Sequence, residues 1–121
     1  LAFHATLDQR GDPLRLDCQY SLQGQTPPAR FWTLSAHNID GHVLATREGA
    51  ASNIISRALL RNAKGEFIIQ AGPKLAAGNW LETTGTGPFQ LILRLYDSPV
   101  TTSGGGGEAV MPTISLIGCP A

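Results

Sequence analysis

The chain has 121 residues, of which 42% are apolar, with nine basic side chains against nine acidic ones. That length suits one domain spanning residues 1–121, and that apolar share can form a core of its own. A formal charge of zero argues against nucleic acid, which is held by neutralising phosphates, and against a polybasic membrane contact.

No run of about 18 apolar residues is present to span a bilayer. The chain opens at Leu1 without an initiating Met, which points to an N-terminal leader or anchor ahead of it. Residues 2–7 read as a short first strand, and Gly11-Asp12-Pro13 as a turn. Leu14, Leu16, Cys18, Tyr20 and Leu22 then alternate with Arg15, Asp17, Gln19, Ser21 and Gln23. This predicts a half-buried strand with Cys18 on its apolar face. A hairpin between these two segments would bring Leu7 near Leu14. Pro27-Pro28 favours an extended connection.

Residues 30–37 predict the next strand. Phe31, Thr33, Ser35 and His37 share one side; Trp32, Leu34 and Ala36 share the other. Asp40-Gly41 is a hairpin signal, with residues 42–45 as the returning strand. Residues 46–56 admit either a short helical turn capped by Ser52 or an irregular crossing loop. Residues 57–61 and 66–70 predict a hairpin around Asn62-Ala63-Lys64-Gly65, closed by a type I turn and a left-handed Gly. A loop over 74–78 leads to a turn at Asn79 and Trp80.

Residues 89–96 form the longest apolar strand. Phe89, Leu91, Leu93 and Leu95 point one way; Gln90, Ile92, Arg94 and Tyr96 point the other. Pro88 suits a strand's first position, where a missing N–H costs least. Gly104 to Gly107 lack side chains to pack and read as a loop. Residues 111–117 offer a last strand, with Pro112 favouring an edge. About eight short strands separated by turns predict an antiparallel β-sandwich or jelly roll with at most one short helix.

These blocks also carry a family resemblance. The stretch from Asn79-Trp80-Leu81 through Gly87-Pro88-Phe89 to Arg94-Leu95-Tyr96 resembles the signature of the domain of unknown function 1214, or DUF1214. So do Pro28-Ala29-Arg30-Phe31-Trp32-Thr33-Leu34 followed by Asp40-Gly41, and the stretch from Leu60 to Phe67. The blocks cover over half of the chain. The whole chain resembles the short stand-alone members, which are exported or membrane-tethered bacterial proteins. The resemblance implies a β-sandwich, a periplasmic or otherwise extracytoplasmic place with an inner-membrane tether, and no established activity. It also implies an accessory role, because the domain commonly occurs joined to DUF1254. Two departures bear on a shared ligand site rather than on the fold. Members often have Pro at the position of Glu82, and Tyr-Asp at the positions of His37 and Asn38.

Cys18 and Cys119 fit neither a zinc site nor a Cys-x-x-Cys motif. Taken alone, they are a disulfide or two buried thiols. The exported character implied by the resemblance favours the disulfide. Closing so long a loop removes roughly 4.7 kcal/mol of unfolded-chain entropy in the simplest treatment.

No catalytic constellation emerges. There is no Gly-x-Ser-x-Gly elbow, no convincing carboxylate pair and no phosphate-cradling loop. His37 and His42 flank the turn holding Asp40, and His4 could join them, but a metal site needs three or four close ligands; no cofactor is expected. The better candidates for ligand contact are Asn79, Trp80, Arg94, Tyr96 and Trp32, since aromatic faces stack on sugar rings and planar polar groups fix hydroxyls. Arg94 should have a carboxylate or carbonyl partner if it is buried. The competing reading makes Trp80 a core plug and Arg94 a brace. The expectation is therefore a non-enzymatic envelope module binding a small ligand, such as a carbohydrate or lipid head group, or a protein partner. The rivals are an envelope hydrolase and an accessory domain to a DUF1254-type partner.

Overall fold

The computed structural model describes residues 1–25, 31–42, 44, 53–97 and 111–120. Its strands are β1 (Ala2–Ala5), β2 (Gln19–Gln25), β3 (Phe31–Asn38), β4 (Asn53–Ile55), β5 (Glu66–Gly72), β6 (Asn79–Glu82), β7 (Phe89–Tyr96) and β8 (Thr113–Gly118). They form two four-stranded sheets, ordered β1-β7-β3-β4 and β6-β5-β2-β8. The architecture is the expected all-β sandwich. The only helical element among the described residues is the 3-10 turn Ser56–Ala58.

One core lies between the sheets. From the first sheet β7 contributes Phe89, Leu91, Leu93 and Leu95, and β3 contributes Trp32, Leu34 and Ala36. The second sheet answers with Tyr20, Leu22, Phe67, Ile69, Ala71 and Ile114. Trp32 packs on Phe67 with ring centroids 5.3 Å apart, and Tyr20 meets Phe89 edge-on at 6.1 Å. The period-2 alternation of β7 thus sorts its side chains as the sequence indicates.

The run from Leu14 to Leu22 keeps its alternation but is not one strand. It turns at Leu16 and Asp17, and β2 begins only at Gln19. Before the turn, the chain belongs to the first sheet's end: Leu14 N–H donates to Thr6 O, and Leu16 N–H to Gly87 O. After the turn it belongs to the second sheet. Thr83 Oγ1 donates to Leu16 O at 2.8 Å, and Arg15 N–H donates to the Tyr20 hydroxyl at 2.9 Å. This corner carries the chain between layers while every second side chain stays in the core. Burial raises the Tyr20 pKa, partly offset by that Arg15 backbone contact.

The turn at 62–65 forms as expected. Asn62 N–H donates to Glu66 O, Gly65 N–H donates to Asn62 O, and Gly65 has φ +78°. The hairpin does not form: residues 59–62 are not a strand. The edge of β5 is taken by β6, which runs parallel to it with Ile69 opposite Asn79 and Gly72 opposite Glu82. Asn79 and Trp80 therefore lie in a strand of their own rather than a turn. β5–β6 is the one parallel pair among the described strands.

Cys18 and Cys119 form a disulfide with Cα atoms 4.2 Å apart. Gln19 is opposite Gly118 in the β2–β8 pair, so the bond joins two strand ends already side by side. The turn after β3 is also as expected, with Asn38 N–H donating to His42 O and Gly41 at φ +92°. Residues 43 and 45 of the returning strand 42–45, together with Pro27-Pro28, the Ser52 cap and the glycine run 104–107, lie outside the described residues. No helix among the described residues is long and apolar enough to cross a membrane.

Candidate functional site

The five residues expected to contact a ligand are distributed over three places. Arg94 and Tyr96 project from the outer face of the first sheet, as their parity on β7 requires. Tyr96 stacks on Phe31 at 4.4 Å with the rings 7° from parallel. Trp32 is a core residue, 1% exposed. Trp80 and Asn79 belong to β6, on the opposite sheet. Trp80 is half-buried, and its indole N–H donates to Gly72 O at 3.2 Å. The Asn79 carboxamide accepts from Leu60 N–H at 2.9 Å and donates to Leu60 O at 2.8 Å and Ile68 O at 3.0 Å. That amide replaces the missing hairpin ladder.

The histidines also separate. His42 Nδ1 lies 3.5 Å from Asp40 Oδ2, both largely exposed. His37 is buried on β3 and turns to Ser35, with Nε2 to Oγ 2.7 Å. His4 pairs instead with Gln90, Nδ1 to Oε1 3.1 Å. Among the described residues no three His, Cys, Asp or Glu side chains gather as a metal site. Burial lowers the His37 pKa from its ordinary value, an interaction with the Gly41 backbone opposes this, and the charges of Arg94 and His4 reinforce it. Among the described residues its Nδ1 is buried without a hydrogen-bond partner. Ser35 and His37 resemble two parts of a triad, but no acid orients the imidazole, so the third part is lacking among the described residues.

A concavity lies elsewhere, on the outer face of the second sheet. It is an open groove of about 780 Å³. Its floor is Glu66, Ile68 and Gln70 of β5 with Gln23 and Gln25 of β2; its walls are residues 60–62 and 77–79. The register builds the floor: Gln23 is opposite Ile68, and Gln25 opposite Glu66. Phe67 and Ile69, the alternate residues of β5, are in the core, so the polar set must face out.

The chemistry of the groove is amide-rich and charge-balanced. Asn62 is committed to its turn, accepting from Lys64 and Glu66 N–H groups and donating to Glu66 Oε1 at 2.9 Å. Arg61 donates to Ser56 O. The side-chain amides of Gln23, Gln25 and Gln70 make no hydrogen bond among the described residues, and each offers two donors and an acceptor. Leu60 and Ile68, 64% and 52% exposed, add apolar surface. Glu66 is the sole carboxylate in the lining, so the groove lacks the paired acids of a glycoside hydrolase. Sequence reasoning passed over the three glutamines. Their outward parity on β2 and β5 was legible, but their convergence depends on which strands pair.

Two sheets packed over one core, with an open polar groove on one outer face, define a β-sandwich domain. The chain belongs to the DUF1214 family, described as a protein of unknown function, whose profile matches residues 1–100. The fold is similar to that of the VPA0106 protein of Vibrio parahaemolyticus, with a TM-score of 0.80 at 20% identity over 96% of this chain and 30% of that one. It is also similar to an uncharacterised protein from Burkholderia cenocepacia, with a TM-score of 0.64 at 16% identity over 97% of this chain and 29% of that one. This chain thus spans less than a third of the length of those two proteins. No curated protein is significantly similar to it.

Proposed function

We propose that this domain is an extracytoplasmic binding module whose groove takes a neutral, hydroxyl-rich ligand of the carbohydrate class. One observation carries the reading: the carboxamides of Gln23, Gln25 and Gln70, without a hydrogen bond among the described residues, line one groove. Paired donors and acceptors match sugar hydroxyls, which are both at once. Arg61 and Glu66 balance in charge, which suits a ligand without net charge. Ile68 and Leu60 offer apolar surface to the C–H faces of a ring. The extracytoplasmic place rests on the Cys18–Cys119 disulfide, since such bonds persist in oxidising compartments. A tether to the inner membrane, through a segment ahead of Leu1, belongs to the same reading and rests on the family resemblance alone.

The test is a side-chain amide NMR titration with a panel of soluble envelope oligosaccharides. The expected result is saturable shifts of the Gln23, Gln25 and Gln70 NH₂ signals by at least one saccharide. The double variant Gln23→Ala/Gln70→Ala should lose that response while keeping its melting temperature. A panel that leaves all three signals unmoved would sink the proposal.

A further inference from the structure

We propose that the outer face of the first sheet, on the side of the sandwich away from the groove, holds an oxyanion on Arg94: a carboxylate or a phosphate group. The argument begins with parity. Gln90, Ile92, Arg94 and Tyr96 of β7 face outward between Phe31, Thr33, Ser35 and His37 of β3 and Ala2 and His4 of β1. The register sets Arg94 between Ala2 and Thr33, and the next row sets Ile92 between His4 and Ser35. Arg94 therefore has a small residue on one flank and a hydroxyl on the other.

Arg94 is half-buried, yet its guanidinium makes no hydrogen bond or ion pair with any described residue. Among the described residues no carboxylate or carbonyl partners it. A guanidinium is a planar fork of five donors, matched in shape to the two oxygens of a carboxylate or phosphate. Removing it from water without a partner is costly, so a half-buried free fork is a site in want of an acceptor.

The described surroundings have one sign. No Asp or Glu projects from this face among the described strands; its titratable groups there are Arg94, His4, His37 and Tyr96, and Arg57 of the 3-10 turn lies beside Phe31. Asp97, the nearest carboxylate along the chain, has the opposite parity, follows the end of β7 and sits at φ +54°. The Arg57 guanidinium lies 5.5 Å from the Phe31 ring centre, on the ring that stacks with Tyr96. A second cation is therefore fixed beside the neighbouring Phe31–Tyr96 row by a cation–π contact. The downward push that Arg94 and His4 exert on His37 is the same positive potential felt by a buried neighbour. Thr33 and Ser35 supply hydroxyls on the adjoining strand.

The experiment follows the Arg Nε–Hε resonances while inorganic phosphate and acetate are titrated separately, at ionic strength held constant with chloride. The expected result is a saturable shift at Arg94, with a co-titrating His4 ring signal, and only a small linear drift at exposed Arg15. Saturation by phosphate alone assigns phosphate chemistry, and saturation by acetate alone assigns carboxylate chemistry. Arg94→Gln should abolish the response. Arg94→Lys keeps the charge without the fork and should weaken the preferred anion about tenfold, or about 1.4 kcal/mol. The wild-type titration stands without either variant. An Arg94 shift that never saturates, or that matches Arg15, overturns the proposal and makes Arg94 a solvated surface residue.

Discussion

The Asn79 carboxamide holds the backbone of Leu60 at both ends, accepting its N–H at 2.9 Å and donating to its carbonyl at 2.8 Å. One side chain here does the work of a strand. It fixes residues 59–62 against β5 and so sets one wall of the groove. Asn79→Ala removes all three bonds at once. At about 0.5–1.5 kcal/mol per net hydrogen bond, the expected loss is about 2–3 kcal/mol, moderated because Leu60 is exposed and water can replace part of it. Asn79→Asp keeps the acceptor for Leu60 N–H but sets a carboxylate oxygen against the Leu60 and Ile68 carbonyls, so it should cost at least as much. Urea denaturation of the two variants checks the order, and an Asn79→Ala protein as stable as wild type would mean the wall is held by something else.

The two tryptophans should behave differently. Trp32 is almost wholly buried against Phe67. Trp32→Ala leaves a large core cavity, for which about 3–5 kcal/mol is usual. Trp80 is half-buried on β6, so Trp80→Ala should cost about 1–2 kcal/mol, in the range of ordinary substitutions. Acrylamide quenching distinguishes them with aromatic-for-aromatic variants: the Trp80→Phe protein, left with Trp32, should be quenched far less than the Trp32→Phe protein, left with Trp80.

What could be read in advance was whatever depends on neighbours two residues apart. The Phe89-to-Leu95 face and the Trp32-to-Ala36 face follow from alternation alone. The turn at 62–65 follows from Asn and Gly. The arms of that turn did not, because Asn79 and β6 compete for the edge of β5 from over ten residues away, and local propensity does not report such competition. The groove failed to show for the same reason: Gln23 and Gln70 meet only through the β2–β5 register. Arg94 and Trp80 were grouped because they are close in sequence, yet the corner at Gly85 and Gly87, both with positive φ, sends them to different sheets.

The disulfide closes nearly the whole chain, with a sequence separation of 101. Its loss should lower stability by roughly 4–5 kcal/mol if the unfolded chain gains the full loop entropy, and by less if the reduced unfolded state stays compact. Denatured, non-reduced protein treated with a thiol alkylator should gain no mass, and reduced protein should gain two adducts. The paired variant Cys18→Ser/Cys119→Ser should unfold at lower denaturant with β2 and β8 still adjacent, since their ladder also pairs Ser21 with Ser115 and Gln23 with Thr113.

His37 makes stability depend on pH in a stated direction. Its folded pKa lies below the ordinary value of 6.5, mainly because burial disfavours the charged imidazole. Between the folded and unfolded pKa values the unfolded chain binds more protons, so stability rises with pH across that window. The contribution is fully present above about pH 6.5 and is lost as pH falls through the folded value. Arg94 and His4 lower the pKa further, so Arg94→Gln should move it back toward 6.5 and shrink the effect. Urea midpoints at pH 5.0, 6.0 and 7.5 should fall with acid in the wild type and fall less in His37→Gln, which cannot take the proton but can still reach the Ser35 hydroxyl. An unchanged pH slope in His37→Gln would assign the acid sensitivity to other groups, and an NMR titration of the His37 ring would then show a pKa at or above 6.5.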